Sequence, residues 1–217
     1  MNSATPISSL TEAVKDSLDE MLEKHDAVPD EMRSELEDLQ LSMRTIHKRT
    51  RGLLNFVQTY RKLTSIPKPS LETVNLAGLT NHVLHLLSGE MERQQIALET
   101  HLPEDHPAVQ ADSDQIEQVV INILINAIDA VRSIQNPRIT IHLDCTHQEG
   151  SCLRITDNGP GIPEDAQAKI FMPFYTTKKE GSGIGLSLAR QIMNMHHGEI
   201  RVHSQKERGT TCELFFH

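Results

Sequence analysis

The sequence predicts an α+β chain in which a two-helix hairpin precedes a mixed sheet with helices packed on one face. Three observations carry this. A heptad stripe runs over residues 36–60. The segment Ser65-Ile66-Pro67-Lys68-Pro69-Ser70 places two prolines where no helix can continue. After residue 75 the segments follow the order α, β, β, α, β, β, loop, α, β, β, which is neither doubly wound nor a bundle. The expected units are residues 1–68 and 69–217.

In the first unit Leu36, Leu39, Met43, Ile46, Thr50, Leu53, Val57 and Tyr60 recur at alternating intervals of three and four, the seam of helices packing at a shallow angle. Ile7, Leu10, Val14, Leu18 and Met21 form a shorter stripe, and Lys24–Asp30, with Pro29, is the turn between the two. A lone hairpin leaves half of its seam in water. Pairing two hairpins into a four-helix bundle covers it, so a homodimer is expected; the alternative is that the hairpin folds back on the rest of its own chain.

In the second unit Leu76–Met91 reads as a helix, and Ile96–His101 and Val109–Ala111 as strands. Asp112, with Gln115 three residues on, resembles a capping box that opens a long helix through Val131. Arg138–Cys145, Ser151–Asp157, Glu199–Gln205 and Thr210–Phe216 have strand composition, and Leu186–His196 is a helix between them.

Composition narrows the function. The 217 residues are 37% hydrophobic but only 3% aromatic, so aliphatic side chains must fill the core. A net charge of −9 argues against a nucleic-acid or anionic-membrane partner, because both demand a basic surface. Any phosphate site must be local. Three cysteines, Cys145, Cys152 and Cys212, are an odd number without metal spacing; they read as strand core residues in a reducing, cytoplasmic setting. No apolar run is long enough to span a bilayer, which needs about 18 residues or more.

Asn122 and Asn126 lie four apart on the helix Asp112–Val131, hence on one face, among residues apolar nearly all round. Buried amides need partners. One arrangement is an Asn–Asn or Asn–backbone bond that fixes the helix; the other is a pair of neutral oxygen ligands for Mg²⁺, which suits a site where phosphates already bring negative charge. Asp129 shares that face or is simply solvated. The turn Asp157-Asn158-Gly159-Pro160-Gly161-Ile162 follows an apolar strand, so a flat ring can approach the backbone while the acid accepts from an exocyclic amine, although Asn-Gly and Pro-Gly also make plain turns. Gly181-Ser182-Gly183-Ile184-Gly185-Leu186 leads into a helix N-terminus, which offers free N–H groups to phosphate; a linker has the same composition. Between them Pro163–Glu180 is long for a connection and holds Phe171, Phe174 and Tyr175, with Lys178 and Lys179 near its end. It reads as a nucleotide lid hinged at Gly161 and Gly181.

The order of these motifs is more specific than any one of them. Asn122/Asn126, Asp157-Gly159-Gly161, Phe171-Met172-Pro173-Phe174 and Gly181–Leu186 together resemble the N, G1, F and G2 boxes of sensor histidine kinases, within the GHKL superfamily that also holds gyrase, a heat-shock chaperone and mismatch-repair ATPases. His197-Gly198-Glu199-Ile200 and Gly209-Thr210-Thr211 resemble its closing strands. The spellings Phe-Met-Pro-Phe-Tyr-Thr-Thr-Lys and Asn-Ala-Ile-Asp-Ala are most similar to the nitrogen-regulation type. The resemblance implies an α/β sandwich that binds ATP and Mg²⁺. Asn126, helped by Asn122, would hold the metal, and Asp157 would accept from the adenine amino group. Gly181, Gly183, Gly185 and Lys178 would cradle the phosphates, with Asp129, Gly159, Gly161, Ile162, Phe174, Thr177, Leu186 and Thr210 completing the site. It also implies phosphoryl transfer to a hairpin histidine and then to a response-regulator Asp, in a parent that a membrane span would anchor at the inner membrane face.

Met1-Asn2-Ser3-Ala4-Thr5-Pro6-Ile7 resembles the tail of an H box of the form His-Glu-Ile-Met-Asn-Ser-x-Thr-Pro-Ile. On that alignment the phospho-accepting histidine falls three positions before Met1, so this chain is expected to lack it. Asn2 matches the position where the family orients water for phosphatase action. His47, beside the seam and followed by Lys48 and Arg49, reads as solvated or partner-facing rather than as an acceptor. His25, His196 and His197 read as surface or capping residues, with cationic histidine suited to a helix C-terminus. Two rivals stand beside the kinase: an ATP-hydrolysing conformational switch, for which Glu117 is the nearby acid, and a non-catalytic, nucleotide-gated dimeric scaffold.

Overall fold

The computed structural model describes residues 4–24, 30–103, 105, 107–146, 150–178 and 181–217. Asn2, His25, most of the expected hairpin turn and Lys179 lie outside them. The chain divides into two units, Met1–Ser65 and Ile66–His217.

The first unit is a helical pair, α1 (Ala4–Lys24) and α2 (Asp30–Thr64). The expected seam splits into two sides. Leu36, Met43, Thr50 and Val57 are half-buried, as are Gln40, His47 and Leu54, whereas Leu39, Ile46, Leu53 and Tyr60 are exposed. The helix-facing side takes polar residues because they find partners. Gln40 donates to Asp19, and His47 Nδ1 meets the hydroxyl of buried Thr11 at 3.2 Å. His47 therefore packs inside the hairpin, not on a solvated or partner-facing side. Leu10 and Val14 of α1 are exposed with the outer stripe of α2.

The second unit is built on a five-stranded mixed sheet of order β2-β4-β5-β7-β6, with β2 (Ala97–His101), β4 (Arg138–Thr146), β5 (Gly150–Asp157), β6 (Glu199–Gln205) and β7 (Gly209–Phe216). Only β2 and β4 run parallel; the other pairings are antiparallel. Alternation sorts the faces. Ile139, Ile141, Leu143, Leu153, Ile155, Cys212, Leu214 and Ile200 form the apolar side under the helices α3 (Leu76–Arg93), α4 (Ser113–Val131) and α6 (Gly185–Met195). Thr140, His142, Arg154, Thr156, Thr211, Glu213, Arg201 and His203 face the other way. The mixed α+β architecture expected from the sequence is thus the one observed.

Two small elements join the expected ones. β1 (Glu72–Val74) pairs antiparallel with β3 (Val109–Ala111), and α5 (Glu164–Gln167) is a single turn inside the expected lid. Cys152 and Cys212 are buried, but Cys145 is exposed near the end of β4, a correction to its reading as core. His196 is also corrected. It is buried, its Nδ1 donates to the Ile192 carbonyl at 2.8 Å, and its Nε2 accepts the backbone N–H of Asp112 at 3.0 Å. One ring nitrogen donating and the other accepting defines a neutral imidazole, not a cationic cap.

Candidate functional site

α4 begins at Asp112, whose Oδ1 accepts the Gln115 N–H at 3.1 Å while Oδ2 accepts that of Ser70 at 2.8 Å. This cap fixes the rotation of the helix. Ile116, Val119, Val120, Ile123, Leu124, Ala127 and Ile128 then point into the core, and Asn122, Asn126 and Asp129 turn together onto the wall of a cleft of about 750 Å³. That volume lies within the range of ligand pockets, roughly 300–1,000 Å³.

The opposite wall comes from the end of β5. Asp157 is buried and its Oδ1 accepts the Gly159 N–H at 2.8 Å. Desolvation pushes its carboxyl above the usual range, opposed by backbone hydrogen bonds from Gly159 and Thr210. The turn that follows is tightly held. Gly161 has φ of +70°, and a Cβ there would lie 2.2 Å from the Gln205 carbonyl oxygen, so only glycine fits. Ile162 N–H donates to Ser204 Oγ at 2.8 Å, and the Gln167 amide donates to both the Ile162 and Ser204 carbonyls, at 2.8 and 3.0 Å. Beneath this wall Cys212 borders the cleft; burial, with Asp157 and Glu213 nearby, pushes its thiol up to about 12, so it is inert there.

The third wall is the glycine loop and its helix. Among the described residues no side chain caps α6, so the N–H groups of its first turn remain available to an anion. Asn122 Nδ2 donates to the Gly185 carbonyl at 3.4 Å, tying α4 to the start of α6. Asn122 Oδ1 accepts from Gln118 at 3.3 Å, so this amide, expected as a second metal ligand, is occupied with bridging. The Phe174 N–H donates to the Gly183 carbonyl at 2.8 Å, and a Cβ on Gly183, φ +68°, would fall 2.5 Å from the Phe174 carbonyl carbon. Loop and lid meet at the backbone of Phe174 and Gly183.

Of the expected site residues, Asn122, Asn126, Asp129, Asp157, Gly161, Ile162, Thr177, Lys178, Gly181, Gly183, Gly185, Leu186 and Thr210 all border the one cleft. Gly159 acts from behind, through Asp157. Phe174 is the exception: the residue is 39% exposed and does not border the cleft, and it adopts a positive φ of 67°. The lid is anchored instead by Phe171, which packs on the core under the Arg190 guanidinium, 5.2 Å from its centroid. Ala130, Ile134, Ile170 and Val202 add apolar walls that the motifs did not mark. Their signal was the ordinary apolar period of their elements, which does not tell a cleft wall from a core.

Among the described residues Lys178 is the one cationic side chain bordering the cleft. Its Nζ donates to Asn126 Oδ1 at 2.9 Å and lies 2.8 Å from Asp129 Oδ2. An amide and a carboxylate oxygen around a cation are a donor set that fits a hard divalent ion, with waters and phosphates completing it.

Residues 111–217 match the family described as histidine kinase-, DNA gyrase B-, and HSP90-like ATPase. The chain is 36% identical over 157 residues to the sensor histidine kinase ZraS of Escherichia coli K12, covering 71% of this chain and 33% of that protein. It is 33% identical over 153 residues to the sensory histidine kinase/phosphatase NtrB of Vibrio alginolyticus, covering 66% of this chain and 43% of that one. The chain thus spans about a third of ZraS and less than half of NtrB. The catalytic domain of histidine kinase ThkA superposes with a TM-score of 0.60 at 33% identity, covering 68% of this chain and 95% of that domain. ThkA in complex with the response regulator TrrA shares the fold over 98% of this chain, with a TM-score of 0.66 at 23% identity, covering 59% of that chain. With the asparagine, Asp157 and glycine-loop motifs gathered in one cleft on this fold, the chain belongs to the sensor histidine kinase family, of the GHKL type and similar to its nitrogen-regulation members.

Proposed function

We propose that the cleft binds Mg-ATP and that the chain is the catalytic portion of a histidine kinase in a two-component phosphorelay. The carrying observation is the convergence of Asn126, Asp157 and the uncapped N-terminus of α6 on a single cleft. Asp157 accepts from the exocyclic amine of the base, and the apolar walls cover its ring. The first-turn N–H groups of α6 and Lys178 take the phosphates. Asn126 and Asp129 hold Mg²⁺, which neutralises developing charge on the phosphates when bound. The chain's contribution is positioning and exclusion of water, which phosphoryl transfer chiefly demands.

The γ-phosphoryl group then passes to a histidine of the dimerised hairpin and on to an Asp of a response-regulator receiver domain. The exposed stripe Leu10, Val14, Leu39, Ile46, Leu53 and Tyr60 supports a homodimer through the hairpin. The kinase reading places the catalytic portion in the cytoplasm; no described helix is long and apolar enough to cross a membrane. The hydrolytic-switch alternative draws no support from Glu117, which does not border the cleft.

The test is calorimetric titration of the chain with Mg-ATP beside Asp157→Asn. The reading predicts saturable binding by the wild type and at least tenfold weaker binding by the variant. Equal affinity would remove the assignment.

A further inference from the structure

The cation between Asn126 and Asp129 is the protein's own, the Lys178 ammonium. Lys178 belongs to the lid, while its two acceptors lie one turn apart on α4. The contact therefore spans the cleft and joins the lid to α4. Asp129 has little freedom to follow the lysine away, because its other oxygen, Oδ1, is held by Arg132 at 3.0 Å. Nor does Asn126 offer a second acceptor: its one side-chain oxygen already receives the ammonium at 2.9 Å.

An ammonium and a divalent metal ion seek the same oxygens, and like charges cannot share them at contact distance. Resting on the Mg-ATP reading of this cleft, we propose that Lys178 is a latch that holds the divalent cation's place: cation and lysine exchange on Asn126 and Asp129. While the site lacks metal, the lysine keeps the lid against α4. When the metal arrives with nucleotide, it takes the two oxygens, and the displaced ammonium becomes available to the phosphates. Asp129 is then a cation ligand in both states, first of the lysine and then of the metal. One side chain thereby serves as lid closure in the empty site and as phosphate contact in the filled one, and a metal-free nucleotide cannot release it fully.

The experiment is hydrogen–deuterium exchange of lid amides 168–178 and 181–184 in the full chain without nucleotide, for the wild type, Lys178→Met, Asp129→Asn and the double variant. The latch predicts severalfold faster lid exchange in each single variant and no further increase in the double one, because both remove the same contact. Mn²⁺ alone should speed lid exchange in the wild type and leave Lys178→Met unchanged, and Mn²⁺ followed by its paramagnetic resonance signal should bind Lys178→Met at least threefold more tightly than the wild type. Unchanged lid exchange in Lys178→Met, or additive effects in the double variant, would overturn the latch whatever the Mn²⁺ affinity does. Calorimetry separates the two readings. Intact Mg-ATP binding with an unaltered lid sinks only the latch, whereas absent Mg-ATP binding sinks the site itself.

Discussion

His196 Nε2 accepts the backbone N–H of Asp112 at 3.0 Å, which joins the last turn of α6 to the cap of α4. With Asn122 bonded to the Gly185 carbonyl further along, α6 is tied to α4 at both of its ends. His196→Ala leaves the Asp112 N–H and the Ile192 carbonyl without these partners. Urea unfolding should show a loss of about 1–3 kcal/mol, the penalty for buried polar groups left unsatisfied.

Asp157 sets stability against function. Because burial raises its folded pKa, the native state holds the proton more tightly than the unfolded chain. Stability therefore increases as pH falls through the raised value and stops changing below the ordinary carboxylate range. The ionised form, needed to accept from adenine, is the less stable one. Asp157→Asn should keep or raise the thermal midpoint at pH 7 and flatten its acid response, while weakening Mg-ATP binding by about 1.5–3 kcal/mol, roughly tenfold to a hundredfold. In the wild type, affinity should fall on acidification at a pH above the normal carboxylate range. Calorimetry and melting curves between pH 4 and 8 check both arms.

Gly161 admits no side chain. Gly161→Ala places a Cβ against the Gln205 carbonyl and demands a positive φ. The expected cost is about 1–3 kcal/mol of stability from strain, with loss of nucleotide affinity as the turn withdraws from the base. Gly52, on α2 with open space around it, is the control: Gly52→Ala should stabilise the helix by up to about 1 kcal/mol.

The outer stripe of α2 should govern self-association. Ile46→Lys or Leu53→Asp removes about 1.5–3 kcal/mol of burial per copy, twice in a symmetric pair, so sedimentation should show dimer dissociation shifted by well over tenfold. Calorimetric Mg-ATP affinity should not change with it.

Much of this was legible in sequence because the signals were local. Asp112 and Gln115 marked the start of α4 within a residue, and the composition of Arg138–Cys145 and Ser151–Asp157 marked both strands. What was not legible depended on long-range partners. Gln40 and His47 look like surface residues until Asp19 and Thr11 arrive from the other helix, so the heptad spacing alone could not separate the inner side from the outer. β1 has one buried residue, Val74, and exists through its pairing with β3. His196 reads as a terminal cap until its second nitrogen finds Asp112, and Phe174, an aromatic in an expected lid, contributes its backbone. The glycine, asparagine and aspartate motifs stand out in sequence by residue type and spacing, whereas the cleft's apolar walls carry no mark that distinguishes them from core.

The central claim, that this cleft is where Mg-ATP sits, is tested most directly by a nitrogen-15 NMR titration with Mg²⁺ and a non-hydrolysable ATP analogue. The account predicts saturating shifts at the backbone amides of Gly159, Gly161, Gly183 and Gly185 and at the side-chain amide of Asn126, all with one dissociation constant. Saturable binding that leaves these amides unmoved, or no binding at millimolar analogue, would contradict it.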